Sequence, residues 1–290
     1  MALSVNQGFD TFLGRLVPLE SQRVASAKHR TSVETSLKKA LSVKAFRETG
    51  SFTHGTGVRN HTDVDLLVSL GESKPGSSTT ALNWVKDALQ ASFPSTTVRI
   101  SRPTVVVEFA GGSETWEILP GFLTTRGGND YNVYDIPSVT PGEWLDSAPA
   151  AHLNYVTEIN TKAGIAGGAK KLARLIKAWK YYGNVPASSF YLEMRAAKYL
   201  STEKSFIASH DICRLLEHLH SIGLAAMNDP KGASGRFYAC STTVKADDAL
   251  SKLSTAATRA RKAIDAEKEG KINDAFYYWN LVFGGNFPAR

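Results

Sequence analysis

Cysteine is nearly absent from this chain. Cys213 and Cys240 are the only two among 290 residues, and they lack the number and spacing of a disulfide framework or a thiolate metal site. No pair of its seven histidines has zinc-ligand spacing either. No apolar run reaches the length of a membrane span. Residues 1–10 lack the basic start and apolar core of a secretory signal, so a cytoplasmic protein is expected. There is no internal repeat. Acidic residues are the minority charge, 27 against 34 Lys plus Arg, which leaves a formal net charge of +7 and a pI near 9.3. That excess favours anionic partners such as nucleotides, nucleic acid or acidic lipid, and it serves solubility equally well.

What is present fits a soluble globular chain. Apolar residues make up 42% and charged residues 21%, and the length accommodates two lobes. Leu19 to Leu41 reads as a long first helix, with Val33, Leu37, Ala40 and Leu41 on one face. Val43–Glu48 is a short strand candidate, and Gly50–Thr62 is a polar, glycine-rich loop. Val64–Leu70 reads as a buried strand and Ala81–Phe93 as an amphipathic helix. Thr97–Ser101, Thr104–Phe109 and Thr115–Leu119 read as further strands, the last two joined as a hairpin by the turn Ala110 to Glu114. Thr124–Pro149 is an irregular crossover. Beyond it, helices are expected over Gly168–Tyr182, Ser188–Leu200, Ile207–Ile222 and Ala246–Glu269. The boundary falls between an α+β lobe, residues 1–149, and a helical lobe, residues 150–290.

Chemistry concentrates in Gly50-Ser51 and, twelve residues on, Asp63-Val64-Asp65. Aspartates at i and i+2 opening a strand point to one face. Side by side they repel unless a cation lies between them, and Mg²⁺ favours one or two carboxylates together with substrate phosphates. An isolated Asp-x-Asp is more often a solvated pair. The preceding Gly50-Ser51, in a loop that also holds Thr53, Gly55, Thr56 and Gly57, adds small donors of the kind that cradle phosphate. A third acid is wanted on a neighbouring strand, where Glu117 and Glu108 both interrupt apolar runs; Glu114 reads as a turn residue. On the helix from Gly168, the residues Lys170, Arg174 and Lys177 share a face. Such a stripe is usually solvated, but opposite an acidic metal site it suits phosphate. Phe190 and Tyr191 read as core residues, and His54 and His61 as ordinary loop residues.

These features together resemble a known superfamily. Gly50-Ser51, Asp63-Val64-Asp65 and an acid before Ile118-Leu119-Pro120 look like the nucleotidyltransferases related to DNA polymerase beta. Arg174-Leu175-Ile176-Lys177-Ala178-Trp179-Lys180 and Ser188-Ser189-Phe190-Tyr191-Leu192-Glu193 are similar to the oligoadenylate synthase and cyclic GMP–AMP synthase branch. The ending, Ala275 through Trp279 to Phe283-Gly284-Gly285-Asn286-Phe287-Pro288, resembles the bacterial cGAS/DncV-like nucleotidyltransferases, which make cyclic oligonucleotides for antiphage signalling.

The resemblance implies a catalytic lobe with a mixed sheet behind a long N-terminal helix, and a helical nucleotide-binding lobe. It selects Glu117 as the third acid, although most relatives carry Asp there. It implies that Asp63, Asp65 and Glu117 hold two Mg²⁺ ions, or Mn²⁺ in their place. Gly50 and Ser51 would touch the triphosphate, Lys177 and Ser189 would bind phosphate oxygens, and Phe190 would stack on a base. The implied reaction condenses NTPs into a cyclic di- or trinucleotide with release of pyrophosphate. A downstream effector would be met by the product rather than by the protein, which is expected to be monomeric and to need no nucleic acid. Two rivals stand beside this reading. One is a nucleotidyltransferase acting on RNA, protein or a small-molecule acceptor, and the other is a non-catalytic nucleic-acid sensor.

Overall fold

The computed structural model describes residues 4–61, 63–109, 114–128 and 130–290, with side chains for all of these except 20–28. The element order is α1 (Val5–Leu16), α2 (Glu20–Ala40), β1 (Val43–Thr49), α3 (Gly50–His54), β2 (Val64–Leu70), α4 (Ser78–Ser92), β3 (Thr97–Ser101), β4 (Thr104–Phe109), β5 (Glu114–Leu123), β6 (Tyr134–Pro137) and β7 (Trp144–Ser147). The rest is largely helical: α5 (Pro149–Thr161), α6 (Gly168–Tyr182), α7 (Ser189–Thr202), α8 (Ala208–Ser221), the short strands β8 (Met227–Asn228) and β9 (Arg236–Phe237), α9 (Thr243–Lys268) and α10 (Ile272–Val282). The α+β class holds. Among the described residues, no helix is long and apolar enough to cross a membrane.

The main sheet runs β1-β2-β5-β4-β3, with β6 and β7 continuing from β5. Among the described residues only β2 and β5 pair in parallel, and the other pairs are antiparallel. Alternation gives this sheet two chemically different faces. On one, Val64, Leu66, Val68, Val105, Val107, Trp116 and Ile118 pack against Val33 and Leu37 of α2 and Leu82, Val85 and Leu89 of α4. Asp65, Glu117, Val106 and Arg99, which are successive register partners across four strands, lie on the other face. The hairpin of β4 and β5 is present with Phe109 opposite Glu114; its turn, residues 110–113, lies outside the described residues, as does Thr62 at the end of the expected loop.

Several elements depart from the sequence expectation. Residues 50–54, expected as loop, form a short helix. The crossover contains β6 and β7, which at four residues each are too short for periodicity to register. Helix α5 begins with Pro at its first position, a starting signal that stands at the last residue of the expected crossover. Helix α10 has Phe276 and Trp279 on its buried side.

Helix α1 is the most consequential. Ser4 and Gln7 close a capping box, and Val5, Phe9, Phe12, Leu13 and Leu16 enter the same apolar core as Leu172, Trp179, Trp279, Phe283 and Phe287. Gly8 and Gly14 dilute its pattern in the sequence, yet a Cβ at Gly8 would lie 3.0 Å from the Phe276 ring, so the glycine permits the docking. Helix α1, which precedes the sheet in the chain, thus shares its core with the helices that follow it.

The ring of Phe9 is fully buried, edge-on to Trp279 at 4.9 Å and to Phe287 at 5.0 Å. Phe9→Ala is expected to cost about 3–5 kcal/mol, read as a lower midpoint in urea unfolding. A loss below about 1 kcal/mol would mean that α1 is not docked on this core.

Candidate active site

The parallel pairing of β2 with β5 sets Asp65 directly beside Glu117, both on the face opposite the α2–α4 core. On the other side Asp65 is the register partner of Thr49, the last residue before Gly50. Gly50 has φ +67°, and a Cβ there would sit 1.7 Å from the nearer carboxylate oxygen of Asp65. Glycine is thus required twice, by the left-handed backbone and by the acid packed against it. Asp63 lies on the loop just ahead of β2, at the open side of the cleft. Glu108, the other acid considered on the neighbouring strand, is held at 3.0 Å by Arg99, two positions along the sheet from Glu117.

The acids strain one another electrostatically. Burial, then Glu117 and Asp63, push the Asp65 carboxyl up to about 8. Burial and then Asp63 raise Glu117. Asp63 is raised by desolvation within the cleft, against the pull of Lys180 and His61. Among the described residues, no three His, Cys, Asp or Glu side chains are gathered closely enough to form a ready-made metal group. The donor set nonetheless fits a hard divalent cation. Glu117 and Asp63 raise Asp65, and Asp63 raises Glu117, so negative charge gathers here beyond what Lys180 offsets, and carboxylate oxygen is what Mg²⁺ prefers.

Facing the acids from the helices are Lys180, Tyr181 and Ser189. Lys180 donates to Ser189 Oγ at 2.6 Å, and the Tyr181 hydroxyl lies 3.2 Å from the same oxygen. Burial and then Lys177 lower the Lys180 ammonium, while Asp63 and Glu117 pull it back up. The Tyr181 phenol is raised by burial, with Asp63, Asp65 and Glu117 adding to the shift. His61 stacks on Tyr181 at 4.7 Å, its ring 8° from parallel, and thereby ties the loop carrying Asp63 to α6. Phe190, next to Ser189, is 37% exposed and sits edge-on to Phe237 at 4.8 Å and His152 at 5.2 Å. Tyr191 is fully buried.

The basic stripe takes a different position from the one expected. The Arg174 guanidinium donates to the carbonyls of Gly55 at 2.6 Å and Gly57 at 2.9 Å. Lys177 is 2% exposed; its ammonium donates to Thr56 Oγ1 at 2.9 Å and pairs with Glu193. Any phosphate reaching Lys177 would have to compete with that carboxylate, whereas Lys180, one turn further along the helix, faces the acids. His54 is likewise no ordinary loop residue, being buried with its Nδ1 on Glu193. Burial works to raise the Glu193 carboxyl, but Lys177 and His54 prevail and hold it well below the usual range. Lys180, Tyr181, His61 and Glu193 escaped the sequence reading as site residues. The signal is weak because aromatic and charged residues on an amphipathic helix, such as Lys180, Tyr181 and Glu193, are ordinarily core or surface, and a histidine in a polar loop, such as His61, is ordinarily solvated.

A family model described as "Second Messenger Oligonucleotide or Dinucleotide Synthetase domain" (SMODS) matches residues 3–160. The chain is 25% identical over 257 residues to the cyclic AMP-AMP-AMP synthase of Acinetobacter sp. (strain ATCC 27244 / 9458), covering 82% of this chain and 71% of that protein. It is 25% identical over 283 residues to the enzyme of the same description from Escherichia coli (strain MS 115-1), covering 86% of this chain and 85% of that one. The solved structure of E. coli MS115-1 CdnC with ATP shares the fold, with a TM-score of 0.76 over 100% of both chains at 20% identity.

The raised Asp65 carboxyl makes a stability prediction. In the unfolded chain an aspartate ionises near pH 4, whereas in the folded protein Asp65 holds its proton up to about 8. Between those values the unfolded state has lost a proton that the folded state retains, so stability without metal falls as pH rises through this window and levels off above it. Asp65→Asn removes the group. In EDTA the variant is expected to melt above the wild type at pH 8, with the gap closing toward pH 4. Mg²⁺ is expected to raise the wild-type Tm more at pH 8 than at pH 5. Parallel Tm-against-pH curves for the two proteins would refute the assignment.

Proposed function

Because the chain belongs to the Second Messenger Oligonucleotide or Dinucleotide Synthetase family, and is by that membership a nucleotidyltransferase that makes cyclic nucleotide second messengers, we propose that Asp63, Asp65 and Glu117 are its catalytic acids. The observation that carries the proposal is the register pairing of Asp65 with Glu117, together with a rise of all three carboxyls that burial dominates and to which neighbouring acids add at Asp65 and Glu117. They would hold two Mg²⁺ ions, or Mn²⁺. When bound, these ions supply Lewis acidity to the attacking hydroxyl and charge neutralisation to the triphosphate.

The remaining work falls to the protein's own groups. Glu117, level with Asp65 across the parallel strands, is also placed to take the proton of the attacking 3′ or 2′ hydroxyl. Gly50 leaves room for Asp65 beside the turn, and Ser51 offers its hydroxyl to the triphosphate at the opening of α3. Ser189 and Lys180 close on the phosphates from the helical side, with Lys180 delivering the cationic contact that Lys177 has committed to Glu193. Fixed donors and charges of this kind are the main source of rate enhancement in phosphoryl transfer. Phe190, backed by Phe237 and His152, offers an exposed ring to a nucleobase.

The two related synthases make a cyclic triadenylate by their description, and ATP is proposed as the substrate of this chain, with a cyclic adenylate of three units as its product. The messenger would act in antiphage defence within the cytoplasm, through an effector that binds the product.

Purified protein with Mg²⁺ and ATP alone is expected to yield a phosphatase-resistant species with the mass of cyclic triadenylate. A requirement for a second NTP, or transfer to a macromolecule, would overturn the product assignment. Asp63→Ala combined with Asp65→Ala is expected to reduce synthesis at least about a thousandfold, with the circular dichroism spectrum unchanged. Retained turnover in that protein would remove the catalytic assignment.

A further inference from the structure

The turn following β1 belongs by sequence to the sheet lobe, yet its far end is held by the helices. At its near end, Gly50 lies against the Asp65 carboxylate. At the far end, polar anchors come from α6 and α7. Arg174 takes the carbonyls of Gly55 and Gly57. Lys177 donates to Thr56 Oγ1. Glu193 accepts from the Thr56 hydroxyl at 2.5 Å, and also from Lys177 and from His54 Nδ1. The side chains of His54, Lys177 and Glu193 are 5%, 2% and 3% exposed. One carboxylate thus collects two residues of the turn and one cation of the helix, in a place closed to water.

Stability alone is a poor reason for this arrangement. A buried ion pair contributes little net free energy, because desolvation offsets most of the attraction, and an apolar pair of similar volume often serves as well. Directional hydrogen bonds to one carboxylate do something that apolar packing does not, which is to fix the turn at one distance and orientation. The position they fix is that of Gly50 and Ser51 relative to Asp65, only three residues before His54.

Resting on the catalytic reading above, we propose that Glu193 is a positioning residue for nucleotidyl transfer. It acts through His54, Thr56 and Lys177 to hold the turn Gly50–Gly57 in its triphosphate-binding placement before substrate arrives. It touches neither substrate nor the reacting atoms. The turn is in consequence coupled to the helical lobe, so a rotation of α6 and α7 carries Ser51 with it relative to the acids.

Glu193→Gln keeps the size of the side chain and removes its charge. Loss of a charge-assisted contact of this kind predicts a rise of roughly tenfold or more in the KM for ATP, with a smaller change in kcat. Hydrogen exchange of the metal-free protein gives a second readout that needs no turnover. Amides of residues 50–57 are expected to exchange roughly tenfold faster, while α6 and α7 keep their protection. Unchanged KM and unchanged exchange at 50–57 would overturn the proposal. So would faster exchange spread over α6 and α7 with kcat falling in step, the signature of a role in the fold alone. Should Glu193→Gln not fold, Thr56→Val removes one of the two turn contacts to Glu193, together with the Lys177 contact to Thr56, and is read in the same two ways. Turnover surviving in the Asp63/Asp65 double variant would defeat the catalytic reading while leaving the exchange result standing, so the two failures are separable.

Discussion

Two carboxylates set side by side across parallel strands are the constraint around which this protein is arranged. Asp65 and Glu117 cannot move apart without breaking the β2–β5 register, and they cannot both ionise cheaply where they stand. The sheet tolerates them because its other face carries the apolar core covered by α2 and α4, which places the stabilising burial on one side and the repulsion on the other. Their neighbours are shaped by the same pressure. Gly50 has no side chain where Asp65 needs room, and Lys180 faces the acids from the helical side. A site that is unfavourable when empty is one that binding a cation improves, the direction required of an enzyme that draws metal and triphosphate into a cleft.

Charge on the helical side is divided between two duties. Arg174 and Lys177 are turned onto the Gly55–Gly57 segment and Glu193, and Lys180 is left for the cleft. Spacing alone shows three cations on one helical face, but it does not show which of them finds an internal acceptor. The same network joins the turn after β1 to α6 and α7 through polar contacts, while α1 reaches the later helices through an apolar one by placing Phe9 and Phe12 among Trp279, Phe283 and Phe287. A chain segment that precedes the sheet thus completes the core of the helices that follow it.

The elements read from sequence were those with long, unambiguous periodicity. Strand β2 and helix α6 fall where the pattern places them. Elements short of a full period, such as β6 and β7, or interrupted by glycine, such as α1, were lost to it. Among the candidate site residues, Asp65 and Glu117 stand out because an acid interrupting a buried strand is costly and therefore conspicuous, and Asp63 because it stands two residues before Asp65. Lys180, Tyr181 and Glu193 did not, because polar residues on helices are common and only their neighbours distinguish them.

The sequence by itself determined which side chains share a face, since the two-residue repeat of a strand and the 3.6-residue repeat of a helix are local properties of the backbone. It therefore determined that Asp65 opposes the apolar face and that Lys177 lies one turn from Arg174. Tertiary structure alone decided what each face meets: that β5 runs parallel to β2 with Glu117 level with Asp65, and that Lys177 ends on Glu193. Those partners come from segments 52 and 16 residues away, and their meeting depends on how whole elements pack, which no local repeat encodes.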